Sequence, residues 1–344
     1  VFHDLRSPSG ADIVARHGHW RYSAWRKTPS ARMIQGESGS AEPFPFAVAS
    51  DGMPWSRGLT MKLGEWTFRA FLDGRFRLDG GSMFGVVPRV LWEKHHPPDH
   101  KNRIEMALRS LYAEQGDKRI LVDTGLGDRW DEKGRQIFAI ERVPGGLAGE
   151  LTRAGIELDS ITDVVLSHLH FDHTGGTICM GEDGPEPVFA NARHWVQKQH
   201  WNWALTPTER DRASFRRDDF LLLESAGLLE LVDGIKEIHP GVRLKPVHGH
   251  TPGQQMVEFH TDEGALVYCA DLIPLASQVR APWIMGFDLN PLLTLNEKRE
   301  FLSRACEDHY ILFFEHDPRI EAATVKFEDG KFQIAETFTL SDTR

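Results

Sequence analysis

The chain has 344 residues, 40% of them hydrophobic and 26% charged, a balance that suits a globular protein with one large domain or two modest ones. A formal net charge of −10 argues against a surface that tracks nucleic-acid phosphates. No apolar run approaches the roughly 20 residues that span a bilayer, no secretory signal is visible, and three cysteines outside any C-x-x-C pair (Cys179, Cys269, Cys306) favour a reducing, cytoplasmic setting.

Residues 1–60 are rich in Gly, Ser, Pro and Arg and follow neither a helical nor a strand period, so they read as a poorly structured extension without a chemical role. A dimerisation arm is the other reading. Met61 opens a segment resembling a natural start, and 61–344 read as one catalytic domain. Residues 67–72 and 77–79 predict two strands around an Asp73-Gly74 hairpin turn, and 104–113 and 119–123 a second pair turning through Gly116. A short helix follows at 146–154, then a β-branched strand at 161–166. Thr206-Pro207-Thr208-Glu209 has the form of a capping box with proline at the first helical position, predicting a helix towards Leu223. Strands are expected at 242–247, 256–260 and 265–270. A Thr294–Glu297 capping box opens a helix that buries Phe301, Leu302 and Ala305, and strands at 310–314, 322–327 and 332–337 close the chain. Strands followed by helix, twice over, predict an α/β architecture of two facing sheets with helices outside.

Chemistry concentrates in Ser167 to Gly176, SHLHFDHTGG, directly after a strand. Three histidines and an aspartate within six residues need an organising charge, and imidazole nitrogen with carboxylate oxygen is a zinc-type donor set. His168 and His170 can point to one ion while Asp172 and His173 point to a second, with Gly175 and Gly176 turning the backbone tightly behind them. Three more ligand-type residues stand at strand ends: His250 in GHTPG, Asp271 in YCADLI and His316 in FFEHDP. Asp123, in LVDTG, reads on its own as a turn-forming aspartate.

From about Met61 onward these motifs resemble the metallo-β-lactamase superfamily. That resemblance implies a four-layer αβ/βα sandwich and two Zn2+ ions, one on His168, His170 and His250, the other on Asp172, His173 and His316, with Asp271 bridging. It also makes Asp123 a residue that orients a ligand or the bound water, and Asp172 one that orients the nucleophile and passes on its proton. The bridging Asp271 resembles lactonases and phosphotriesterase-like hydrolases rather than true metallo-β-lactamases. The stretches 79–94, 270–292 and 312–318 look like the YtnP-type acyl-homoserine lactonases and, more distantly, methyl parathion hydrolase-like enzymes. The implied function is opening of acyl-homoserine lactone rings by a metal-bridging hydroxide; the alternatives are an arylesterase or organophosphate hydrolase and, further off, a β-lactam hydrolase. The chain departs from the common GHTPGH pattern at Gln254, and the loop after Asp271 lacks the tyrosine some lactonases use on the substrate carbonyl.

Met83, Phe84, Trp283, Met285 and Phe287 read either as core or, by the resemblance, as the wall of an apolar substrate pocket. His95, His96 and His100, in KHHPPDH, read as a solvated loop, as do His17 and His19. His194, His200, His239, His248 and His260 read as packing or surface residues, and Cys269 as a small core residue. A small-molecule substrate is expected, with no nucleic-acid or membrane partner; homodimerisation stays open. No G-x-S-x-G, P-loop or G-x-G-x-x-G motif is present.

Overall fold

A computed structural model describes residues 60–341. The N-terminal extension, but for residue 60, lies outside them, as do His17 and His19.

The central strands, such as Asp163–Val165, Gly264–Tyr268 and Ile311–Phe313, are buried on both faces, and the alternation of side chains sorts the core into layers. In strand Lys118–Val122, Ile120 and Val122 point to one side and Leu121 to the other; in Gln254–Thr261, Val257 and Phe259 oppose Met256. Among the described residues the strands form an eight-stranded sheet, a seven-stranded sheet and a two-stranded ribbon. The two large sheets share a core in which Phe68 meets Phe259 edge-on at 5.1 Å and Tyr268 stacks on Phe313 at 5.4 Å. On the far side of the first sheet, helices Gly146–Arg153, Lys198–Leu205 and Leu221–Ser225 bury Leu147, Leu151, Trp201 and Leu223 against Leu121, Val164 and Val196. On the far side of the second, helix Pro291–Glu307 buries Phe301, Leu302 and Ala305 against Val267 and Leu312. Helix, sheet, sheet, helix is the expected four-layer sandwich.

Pairing fixes where the strand ends fall. Lys118–Val122 runs parallel to Asp163–Val165, and Gly264–Tyr268 parallel to Ile311–Phe313, so within each pair the C-terminal ends emerge at the same edge. Val242–Val247, two antiparallel steps from Gly264–Tyr268, ends there too. Open α/β sheets place ligands beyond the carboxyl ends of their strands.

Three expectations are corrected. Asp73-Gly74 is a bulge inside one strand, Trp66–Asp79, and not a hairpin turn. The buried Asp73 carboxylate accepts from the backbone N–H groups of Leu126 and Leu147 and pairs with Arg142, while a Cβ on Gly74 would sit 2.6 Å from the Glu141 carbonyl oxygen. Thr206–Glu209 does not open a helix. The helix ends at Leu205, and the chain continues as short 3-10 turns because Asp211 is committed to Trp203 Nε1 and Thr208 Oγ1. Helix Pro291–Glu307 starts four residues earlier than expected, capped by Asn290 in place of Thr294, and the Asn290 side chain accepts from Leu293 N. Glu297 instead accepts the backbone N–H groups of His248 and Gly249, which fixes the loop leading into His250. Among the described residues no helix is long and apolar enough to cross a membrane.

Candidate metal centre

Each of the seven singled-out residues follows a strand of the shared edge. His168 and His170 stand in the loop after Asp163–Val165, and Asp172 and His173 in the one-turn helix Phe171–Thr174. His250 follows Val242–Val247, Asp271 sits in a 3-10 turn after Gly264–Tyr268, and His316 follows Ile311–Phe313. All are buried.

The donor atoms of His168, His170, His250 and Asp271 lie within 4.8 Å of one another, and those of Asp172, His173 and His316 likewise. In the first group His168 Nε2 is 3.0 Å and His250 Nε2 3.2 Å from His170 Nδ1. In the second, His316 Nε2 is 3.3 Å from His173 Nε2, and the two Asp172 oxygens are each 3.8 Å from one of those nitrogens. Asp271 stands between the groups. Its Oδ2 is 3.2 Å from His250 Nε2, and its Oδ1 is 3.4 Å from His316 Nε2 and 3.8 Å from His173 Nε2.

Imidazole nitrogens crowded on two points need a common partner, since one N–H proton cannot serve three lone pairs. Asp271 Oδ1, though buried, has no hydrogen-bond partner within the chain. Burial, reinforced by repulsion from neighbouring imidazoles, holds His168 and His170 well below the usual histidine range. Burial also opposes charge on His316, but Glu315 and Asp271 outweigh it and raise the pKa to about 9. Burial disfavours the Asp271 carboxylate, yet His250, His316 and His173 hold it below the ordinary range. Imidazole nitrogens that give up their protons on binding, around an ionised carboxylate, are the donor set that a divalent transition ion takes, so the residues fit such a group.

The outward-facing nitrogens of His173, His250 and His316 are held from behind. Asp123, with φ +56°, accepts from Ser167 N and Ser167 Oγ, both at 2.6 Å, from His173 Nδ1 at 2.9 Å and from Tyr268 OH at 2.9 Å. Its carboxylate therefore spans two ligand loops, well beyond the needs of a turn. Asp288 Oδ1 lies 2.9 Å from His250 Nδ1, and His316 Nδ1 donates to the Ala107 carbonyl at 2.9 Å. His200 accepts Leu169 N on Nε2 at 2.8 Å and donates from Nδ1 to the Pro252 carbonyl at 3.0 Å, tying the histidine cluster to the His250 loop. Burial lowers its pKa to about 4, which keeps the neutral tautomer this requires. Gln255 donates to the Leu166 and Trp195 carbonyls and accepts from Gln197, fastening the two sheets beside the site.

Sequence reasoning missed Asp288, Glu315, Tyr268 and Gln255. Glu315 and Asp288 stood inside quoted stretches, but nothing in their spacing showed which imidazole each would reach. Gly175 and Gly176 serve a different purpose from a tight turn. A Cβ on Gly175 would lie 2.0 Å from the Leu126 carbonyl oxygen and one on Gly176 2.2 Å from that of Thr124, so they admit the 124–127 backbone against the cluster.

A cavity of about 580 Å³ opens above the centre, lined by His170, Asp172, His250, Asp271 and His316 and walled by Met83, Met106, Phe138, Met285, Phe287 and Leu289. Phe84 and Trp283 do not line it. Phe84 stacks on Trp92 at 5.3 Å and meets Trp283 edge-on at 5.5 Å, so both support the wall from within the core. His96 is also corrected: it is buried, bonded through Nε2 to Ser277 Oγ at 3.0 Å, and not part of a solvated loop.

A buried histidine–aspartate centre at the carboxyl edge of an αβ/βα sandwich, opening on an apolar cavity, defines a hydrolase of the metal-binding class. The chain belongs to the metallo-beta-lactamase superfamily, whose family model matches residues 109–316. An N-acyl homoserine lactonase of Bacillus thuringiensis is 27% identical over 228 residues, covering 60% of this chain and 79% of the relative. A protein described as a probable metallo-hydrolase of Mycobacterium tuberculosis is 27% identical over 269 residues, covering 69% and 82%. Among solved structures, one described as a probable metal-dependent hydrolase from Staphylococcus aureus superposes with a TM-score of 0.75 at 24% identity, covering 83% of this chain and all of the other. AidC, described as a dizinc quorum-quenching lactonase, gives 0.68 at 23% identity, covering 83% and 98%. At these identities the structural likeness speaks to the fold.

Proposed function

We propose that the chain is a dinuclear zinc lactonase that opens acyl-homoserine lactone rings. The observation that carries this reading is Asp271, one carboxylate with an oxygen turned towards each of two imidazole clusters. His168, His170 and His250 would hold one ion, and Asp172, His173 and His316 the other. Bound there, two divalent ions would supply Lewis acidity and a water acidified enough to attack near neutral pH.

The chain's own residues supply the rest. Asp172 lines the cavity with a carboxylate that can orient the attacking water and carry its proton to the departing alkoxide. Asp123 and Asp288 fix the tautomers of His173 and His250 so that Nε2 faces inward. Met83, Met106, Met285 and Phe287 offer an apolar seat for an acyl chain, with a volume suited to a small molecule. The lactonases among the relatives support this substrate class. Cys179, Cys269 and Cys306, all unpaired, support a reducing, cytoplasmic location.

The test compares a lactone, an aryl ester, a phosphotriester and a β-lactam on purified protein with measured metal content. Acyl-homoserine lactone should be turned over fastest, with activity lost on chelation and restored by zinc. Asp271→Ala and His168→Ala should abolish turnover and lower metal content. Full activity in either variant rejects the centre, and a faster phosphotriester or aryl ester rejects the substrate.

A further inference from the structure

We propose that Glu315, acting with Tyr268, is a positioning residue for His173, and that the Asp172–His173–His316 half of the centre depends on this second carboxylate for its ion. The inference rests on the reading of the seven residues as a dinuclear centre and extends it to two residues outside that set.

The geometry behind His173 differs from that behind every other histidine of the centre. His173 Nε2 faces the cluster, 3.8 Å from both Asp172 Oδ1 and Asp271 Oδ1. Its Nδ1 faces away and lies 2.9 Å from Asp123 Oδ2 and 2.9 Å from Glu315 Oε2. By contrast, His250 Nδ1 meets Asp288, His316 Nδ1 meets a carbonyl, and His168 Nδ1 meets the Ser167 hydroxyl at 3.1 Å. His170 Nε2 has no partner. His173 therefore has two carboxylates behind it where the others have one or none.

Two buried carboxylates at one N–H repel each other, and a buried acid is retained only with compensation. Part of that compensation is visible. Tyr268 OH reaches both acids, at 2.9 Å from Asp123 Oδ2 and 2.5 Å from Glu315 Oε2, and Ser167 Oγ adds a bond to Asp123. The remainder is missing, because Glu315 Oε1 is buried with no partner at all. A cation on the far side of the His173 ring would make Nδ1–H a stronger donor to this surplus of acceptor oxygens, and Nε2 in turn becomes more basic as Nδ1–H is drawn towards them. Asp123, His173 and Glu315 could also hold a small cation among themselves. Ser167 donates to Asp123, and the single hydroxyl hydrogen of Tyr268 is shared between Asp123 and Glu315, so these two groups fill that role instead.

The experiment titrates the chelator-stripped full chain with cobalt(II) and follows the d–d absorption of each equivalent. Wild type should show two steps. In Glu315→Gln the first step should be unchanged and the second weakened by about 10–100-fold, the range for losing a partner behind a ligating histidine. Tyr268→Phe should weaken the same step by a smaller factor and carries the test if Glu315→Gln does not fold. Metal-free unfolding midpoints report the structural effect of each change, which a stepwise metal titration does not. Two steps of unchanged affinity in either folded variant overturn the inference and leave the centre standing. A third equivalent, bound by wild type and lost in Glu315→Gln, overturns it by making Glu315 a ligand. No uptake by wild type rejects the dinuclear centre itself.

Discussion

At the residue scale, the site is built in two layers: seven side chains converge, and a second set of groups backs the imidazoles of His173, His250 and His316. Asp288 shows the consequence. Its only contact with the centre is Oδ1 on His250 Nδ1, so Asp288→Asn leaves the volume intact but removes the charge behind that ring. We expect kcat/KM to fall about 10–100-fold with weaker metal retention; an unchanged rate and metal content would show that His250 needs no such support. His200→Phe should act differently, since it removes the acceptor for Leu169 N and the donor to the Pro252 carbonyl. A buried N–H without an acceptor costs roughly 1–3 kcal/mol, so the urea midpoint should drop, and a midpoint equal to wild type would contradict the bridging role. The seven inward-facing residues were legible in the sequence because motif density and strand-end placement both point at them. Asp288, Glu315 and Gln255 were not, because their partners lie 38, 142 and 89 residues away and only the folded chain pairs them.

At the element scale, local signals succeeded where the chain could satisfy them locally. The alternation in Lys118–Val122 and Gln254–Thr261 needed no distant partner. They failed where a distant group made a better offer. Glu297 had the spacing of a capping residue but bonds the backbone before His250, and Asp73 had the form of a turn residue but anchors two other loops. The glycines follow the same logic. Gly127, at φ +64°, would place a Cβ 1.9 Å from the Gly175 carbonyl oxygen, and Gly175 would press on Leu126 in return. Gly175→Ala should therefore cost more than about 4 kcal/mol or prevent folding. A stable variant within about 1 kcal/mol of wild type by urea unfolding would show that this contact yields.

At the scale of the whole molecule, buried histidines tie stability to pH. His96 and His194, far from the two ligand clusters in sequence, are held neutral chiefly by burial, each with its pKa lowered to about 4 against 6.5. Between those values the unfolded chain binds the proton and the folded chain does not, so stability is complete above about pH 6.5 and is lost as pH falls towards 4. Each full shift is worth on the order of a few kcal/mol. Relative to wild type, His96→Gln should lose less urea stability as pH falls from 7.5 to 5; a pH dependence identical to wild type would mean that His96 binds its proton equally well in the folded and unfolded chain.

By itself the sequence determined the layered α/β architecture and the seven residues that could meet at its edge, since strand periodicity and ligand-dense motifs are properties of neighbouring residues. The tertiary structure alone decided that His168 and His316 stand on either side of one carboxylate, which carboxylate backs which imidazole, and that Met285 faces the cavity while Phe84 and Trp283 stay behind its wall. The physical reason is range: a side chain's period along a strand is set by its neighbours, but its hydrogen-bond partner is set by whichever distant loop the packed sheets bring within about 3 Å.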